Sequence, residues 1–195
     1  MKKTKKKQNK SVRTFSKKDF NSGDGMLTTA WGPAIWHYLH MMSFNYPVHP
    51  TEEDKIHYKE FILNLQYVLP CKYCRINLTK NLKHHPICMS DMKNRETFSK
   101  YVYDLHEIIN KMLNKKTHLS YADVRERYEH FRSRCTQDDI INKTLKETNT
   151  KESGCTESLH GKKSKCIINI VPQEDKRDSF QMHKTCLKTK KNNKK

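Results

Sequence analysis

The stretch Asn94-Arg95-Glu96-Thr97-Phe98-Ser99-Lys100-Tyr101-Val102-Tyr103-Asp104-Leu105-His106-Glu107-Ile108-Ile109-Asn110-Lys111-Met112-Leu113 decides the fold class. Phe98, Val102, Leu105, Ile109 and Leu113 recur at three- and four-residue spacing, which places them on one stripe of a helix running from about Asn94 to Leu113. Further along, Ser120 caps a short helix from Tyr121 to Arg132. Working back from Asn94, a loop surrounds His85-Pro86, and a helix from Cys71 to Leu82 follows the break at Pro70. Thr51-Glu52-Glu53-Asp54 resembles a capping box with acid at a helix N-terminus; Ile56, Phe61, Leu65 and Val68 continue that helix to Leu69. Thr28 or Thr29 caps a first helix through Trp31 to about Phe44, with Pro33 in its first turn. Tyr46-Pro47 ends it, because proline pushes its predecessor out of the α region. No segment alternates as a strand, so the expected fold is an all-α bundle of about one hundred residues.

Charge sets the boundaries of that bundle. The chain has 195 residues and a formal net charge of +18, with 34% hydrophobic residues. Residues 1–27 carry nine Lys and Arg against two Asp; residues 136–195 carry fourteen against eight acidic residues. The segment 28–135 therefore holds only +5, together with both Trp and all nine Tyr. The expected organisation is a basic N-terminal tail over 1–27, one domain over 28–135, and a basic, cysteine-containing C-terminal tail over 136–195. Tails of this composition bury little surface and repel themselves. They serve either as solubilising segments or as salt-sensitive contacts to nucleic acid. No run of apolar residues is long enough to span a membrane, and no apolar segment follows the basic start as in a secretory leader. Five glycines argue against a glycine-rich phosphate loop.

Seven cysteines are present, at 71, 74, 88, 135, 155, 166 and 186. Cys71-Lys72-Tyr73-Cys74 is the informative pair. It stands at a helix start, where unpaired backbone N–H groups and the helix dipole stabilise a thiolate. Its spacing also allows closure into a disulfide, as reversible dithiol exchange requires. Cys71, Cys74, His85 and Cys88 equally read as a tetrahedral zinc set, which would make the chain a zinc-stabilised basic nucleic-acid-binding module. Spacing alone does not choose between redox chemistry and zinc. A thioredoxin fold is excluded by the missing βαβ pattern.

The flanking residues supply a further criterion. Trp31-Gly32-Pro33-Ala34-Ile35-Trp36-His37-Tyr38-Leu39-His40 with Tyr46-Pro47 resembles the opening of the Erv/ALR family of FAD-linked sulfhydryl oxidases. Leu69-Pro70-Cys71-Lys72-Tyr73-Cys74 is similar to that family's active-site helix start. Leu105-His106-Glu107-Ile108-Ile109-Asn110-Lys111-Met112-Leu113-Asn114-Lys115 resembles its His-Asn-x-Val-Asn-x-x-Leu-Gly-Lys segment, and Val124-Arg125-Glu126-Arg127-Tyr128 its closing Val-x-Glu-Arg-Trp. The motifs stand in order and cover nearly all of 28–135. The resemblance implies a four-helix bundle with a short fifth helix, usually dimeric, around FAD. It implies that Gly32, Trp36, His40, His106, Asn110, Lys115, Arg127 and Tyr128 line the cofactor, with Lys115 and Arg127 facing the pyrophosphate and no resident metal. It also implies a thiol oxidase in which a protein dithiol attacks Cys71, Cys74 is the flavin-proximal sulfur, and two electrons pass through FAD to O2, giving H2O2.

The departures from the family pattern are specific. Glu107 stands in place of Asn, Asn114 in place of Gly, and Tyr128 in place of Trp. A structural cysteine pair common in the family is replaced by Tyr103 and Tyr121, so an aromatic contact is expected there. A shuttle disulfide, common on a family member's tail, would here draw on Cys155 and Cys166; Cys186 has no assigned partner. Large DNA viruses encode such enzymes, which would place this one in host cytoplasm or virion. A cellular enzyme of this kind would work in the mitochondrial intermembrane space.

Overall fold

The computed structural model describes residues 15–133, 155–178 and 180–188. Residues 1–14 and Cys135 lie outside the described residues. The elements are α1 (Lys17–Phe20), α2 (Thr28–Phe44), α3 (Glu52–Val68), α4 (Lys72–His84), α5 (Arg95–Met112) and α6 (Tyr121–Glu129), with a 3-10 turn at Lys184–Cys186. Four long helices and the short α6 make an all-α fold, as expected. No helix among the described residues is long and apolar enough to cross a membrane.

Local chemistry sets the helix starts. Thr51, Asn94 and Ser120 each accept the backbone N–H three residues on, and the side chain at that position reaches back in a capping box: Asp54, Thr97 and Asp123. The start of α2 differs from expectation. Its N-cap is Leu27, which offers no side-chain bond. The first turn is held instead by Ala30 N–H to Leu27 O (2.9 Å) and Trp31 Nε1–H to Met26 O (3.2 Å). Pro33 is the sixth helical residue, one turn deeper than expected, so the Thr29 carbonyl loses its helical partner.

The core lies between α2, α3, α4 and α5. Phe98, Val102 and Leu105 of α5 are almost fully buried, against Ile62 and Leu65 of α3, Leu78 and Leu82 of α4, and Leu39 of α2. The expected α5 stripe is therefore the buried one as far as Ile109; Leu113 is half exposed. On α3 the buried face carries Ile62 and Leu65, while Ile56, Phe61 and Val68 face outward. The loops are closed by buried tyrosines: Tyr46 OH donates to Met92 O (2.9 Å) and Tyr101 OH to His85 O (3.0 Å). Arg95 Nε–H binds Tyr46 O (2.6 Å), and Arg132 binds Phe44 O (2.9 Å), so the turn after α2 is held from both α5 and the end of α6.

Tyr103 and Tyr121 meet as expected, ring edge to ring face at 5.8 Å. Tyr121 OH shares a hydrogen with Ser99 Oγ (2.8 Å), and Tyr103 OH donates to Leu119 O (2.9 Å). These contacts tie α5 to the loop before α6. Asn114 takes φ 54°, the left-handed conformation its glycine-like position demands. Its turn brings Lys115 N–H to Asn110 O at 2.9 Å.

The described part of 155–188 returns to α6. Leu159 N–H binds Arg132 O (2.8 Å), Lys188 N–H binds His130 Nδ1 (2.8 Å), and the Arg127 guanidinium lies 4.6 Å from the Phe180 ring centre.

Candidate active site

Two side-chain clusters stand out, one at the start of α4 and one between α2, α5 and α6. The first is the dithiol. Cys71 is the N-cap of α4, and its Sγ accepts the Cys74 N–H at 3.3 Å. Contacts with the Cys74 thiol and backbone N–H hold the Cys71 thiol below its ordinary value, with smaller help from Thr28 and the Tyr73 N–H. Burial pushes the Cys74 thiol up, and its hydrogen bond to Cys71 adds to this. Of the two thiols, Cys71 is therefore the one whose charged form is favoured. Both cysteines are free thiols in the structure, as are Cys88, Cys166 and Cys186.

The dithiol has a third wall that the sequence reading missed. The segment before α2 crosses the start of α4, where Met26 N–H donates to Pro70 O at 2.8 Å. Gly25 lies so close that a Cβ there would meet Pro70 O at 2.9 Å and Cys71 Cα at 3.3 Å. This close approach requires glycine. Thr28, expected as a cap, turns its hydroxyl to Cys74 Sγ at 3.6 Å instead.

The second cluster is a set of flat rings. Trp36 and His40 stand one turn apart on α2, and His106 faces them from α5. Trp36 and His106 stack at 3.9 Å with their planes 5° apart. His40 Nε2 and His106 Nδ1 share a hydrogen at 3.0 Å, and Tyr128 of α6 lies 5.2 Å from His40 between ring centres. Burial pushes His40 down to about 3, with His106 and His37 adding to it; burial pushes His106 down to about 4. Both imidazoles are neutral at pH 7. The Nδ1 atom of His40 is buried without a protein hydrogen-bond partner.

The other expected site residues fall around these rings. Asn110 is buried one turn beyond His106, and its amide donates to Glu107 Oε1 at 3.3 Å. Glu107, the departure from the family motif, also accepts the Thr117 hydroxyl. Lys115 adds to the lowering of His106, while burial pushes Tyr128 up to about 12 and Arg127 partly opposes it. Gly32 has open space beside it; a Cβ there would touch only Thr28 Cγ2, at 3.6 Å. Two ring neighbours were not anticipated. His37 Nδ1 meets Tyr128 OH at 3.3 Å, and the Phe44 ring stacks on Tyr128 at 5.6 Å. His37 carried no sequence signal beyond lying within the α2 motif, and Phe44 none beyond ending the expected first helix.

The zinc set is not assembled. The His85 ring stacks on Tyr101 at 4.9 Å, and the exposed Cys88 Sγ turns to Pro86 O. No group of three or more His, Cys, Asp or Glu among the described residues is placed to hold a metal ion. Zinc is therefore withdrawn as an alternative. A Cys155–Cys166 disulfide is not formed in this structure: Cys166 is a free thiol, whereas Cys155 is disulfide-bonded.

Fold and site together define an all-α domain that carries a dithiol at a helix start and a cluster of neutral rings. The Erv1 / Alr family model matches residues 33–129, and the chain belongs to that family. Among relatives, a probable FAD-linked sulfhydryl oxidase of Acanthamoeba polyphaga mimivirus is 37% identical over 53% of this chain and 72% of its own length. A FAD-linked sulfhydryl oxidase of African swine fever virus is 31% identical over 51% and 80%. The mitochondrial FAD-linked sulfhydryl oxidase of Saccharomyces cerevisiae is 26% identical over 43% of each chain. Among solved structures, the yeast Erv1 core has a TM-score of 0.48 at 23% identity, covering 60% of this chain and 92% of that one.

The residues present fit a flat, anionic cofactor such as FAD. Neutral stacked rings suit a planar ring system, and the unpartnered His40 Nδ1 is a buried polar atom awaiting one. The cations Lys115 and Arg127 act electrostatically on His106 and Tyr128 of the cluster.

Proposed function

We propose that this chain is a FAD-linked sulfhydryl oxidase that forms disulfides in protein dithiols and passes the electrons to O2. The observation that carries the reading is Cys71 at the α4 N-cap, its sulfur stabilised as a thiolate by Cys74. In the oxidised enzyme, Cys71 and Cys74 form a disulfide. A substrate thiolate attacks Cys71 Sγ; the Cys71–Cys74 bond breaks, and its electron pair leaves on Cys74. The second substrate thiolate then attacks the substrate sulfur bonded to Cys71, releasing oxidised substrate and a Cys71 thiolate. When bound, FAD supplies a two-electron acceptor for the reduced pair and passes the electrons to O2 as H2O2. Trp36, His40, His106 and Tyr128 would hold its rings, Asn110 an edge of them, and Lys115 and Arg127 its pyrophosphate, with Gly32 leaving room for approach. Being neutral, the two imidazoles stack and hydrogen-bond without placing positive charge in the pocket.

The same reading makes the enzyme a homodimer. Trp31, Ile35, Tyr38, Val68 and Leu69 line an apolar depression shared by α2 and α3, with Tyr38 52% and Val68 68% exposed. A second copy is the occupant that would cover such a face. The relatives from large DNA viruses support a place of work in host cytoplasm or virion. The test is oxygen consumption and peroxide formation by the flavin-loaded protein with a reduced protein dithiol. Cys74→Ser should abolish both; full peroxide production by that variant would overturn the reading.

A further inference from the structure

The Thr28 hydroxyl has no structural duty of its own. It does not cap α2, whose N-cap is Leu27, and it lies 3.6 Å from Cys74 Sγ. Its position is fixed from both sides. Upstream, Met26 N–H is anchored on Pro70 O, and Gly25 packs against the Pro70–Cys71 backbone. Downstream, Trp31 Nε1–H binds Met26 O and locks the first turn of α2. The strap Gly25–Thr28 thus delivers one hydroxyl to the dithiol, 3.6 Å from Cys74 Sγ.

We propose that Thr28 is a further catalytic residue, whose hydroxyl donates a hydrogen bond to the Cys74 thiolate as it leaves the Cys71–Cys74 disulfide. The inference rests on the sulfhydryl-oxidase reading above. In the reduced enzyme Cys71 is the hydrogen-bond partner of Cys74, and their contact favours charge on Cys71 and disfavours it on Cys74. In the mixed disulfide that partner is gone, because the Cys71 sulfur is bonded to substrate. The groups facing Cys74 Sγ are then its own backbone N–H and the Thr28 hydroxyl, both of which favour its charged form. No carboxylate or cation is among them; the neighbouring Arg75 guanidinium is committed to Leu69 O at 2.5 Å. The step balances as a displacement. One S–S bond forms between substrate and Cys71, the bond between Cys71 and Cys74 breaks, and the electron pair rests on Cys74 Sγ, where the hydroxyl meets it. A better-stabilised leaving thiolate departs faster.

The test uses flavin-loaded protein carrying Cys71→Ala, which leaves Cys74 without a donor at position 71, as it is in the mixed disulfide. The pH dependence of Cys74 alkylation by iodoacetamide is read by mass spectrometry. Adding Thr28→Val should raise the midpoint by about half to one pH unit, a roughly three- to tenfold loss of thiolate at neutral pH. Thr28→Ala should do the same, and Thr28→Ser should restore the lower midpoint. With both cysteines present, Thr28→Val should slow reduction of the active-site disulfide by a substrate dithiol by a similar factor. An unchanged alkylation midpoint in both Thr28→Val and Thr28→Ala overturns the inference. If the unaltered protein oxidises no dithiol, the functional reading fails instead, and the Cys74 midpoint still reports on Thr28.

Discussion

Acid should unfold this domain through two histidines before its carboxylates respond. His40 is pushed down to about 3 and His106 to about 4, from an ordinary 6.5, chiefly by burial. The sign follows from which state binds protons. As pH falls through about 6.5 the unfolded chain protonates both imidazoles, whereas the folded pair stays neutral until about pH 4. Native stability is therefore undiminished by this pair above pH 6.5 and is lost progressively between pH 6.5 and 4. At pH 5 the solution stands about 1.5 units below the unfolded value of each imidazole, which at about 1.4 kcal/mol per unit costs about 2 kcal/mol for each. The pair together costs up to about 4 kcal/mol, a large share of the total for a domain of this size. The carboxylates Asp54 and Asp123 are held below their ordinary 3.8 by hydrogen bonds from Thr51 and Ser120, so they do not titrate in this window. The assay is urea unfolding at pH 7 and pH 5, followed by tryptophan fluorescence, for the unaltered protein and for His40→Leu. The unaltered domain should lose several kcal/mol between the two pH values, and His40→Leu about half as much. A loss under about 1 kcal/mol, or an identical loss in the variant, would refute the argument that the paired imidazoles are buried and neutral.

Other perturbations follow from the packing. Tyr121→Phe removes the hydrogen bond to Ser99 and should cost about 1 kcal/mol, while Tyr121→Ala also removes the edge-to-face contact with Tyr103 and should cost about 2 kcal/mol, both read by thermal unfolding. Because tyrosines close this junction, reductant should change the Tm of the bundle little; a large drop would show that a disulfide does the work. Asn114→Gly should stabilise the domain by about 0.5 kcal/mol by relieving the left-handed backbone at φ 54°, and Asn114→Ala should destabilise it.

The helices were legible because their signals are local. The capping residues Thr51, Asn94 and Ser120 and the α5 stripe are readable within one or two turns, and they stand where expected. The same locality explains the misreading of α3. Phe61 and Val68 share the helical spacing of core residues, but a second apolar face shows the same period as the first, and only tertiary packing tells which is buried. Residue type marked Trp36, His40 and His106 as a flat-ring site because one-turn spacing already places two of them together. Thr28 and Gly25 escaped because their roles come from contacts across the fold. A threonine before a helix reads as a cap, and nothing in its neighbourhood points to a sulfur 46 positions away. The dithiol itself was visible as a pair; its spacing left redox and zinc chemistry open, the flanking motifs favoured redox, and the positions of His85 and Cys88 agree with that choice.

The central claim is that electrons leave substrate through Cys71 and Cys74 and reach FAD. It is tested most directly by adding excess dithiothreitol, without oxygen, to the flavin-loaded protein and following its visible absorbance. The account predicts rapid loss of the oxidised flavin band in the unaltered protein and a persistent band in Cys74→Ser. Bleaching of Cys74→Ser as fast as the unaltered protein would contradict it.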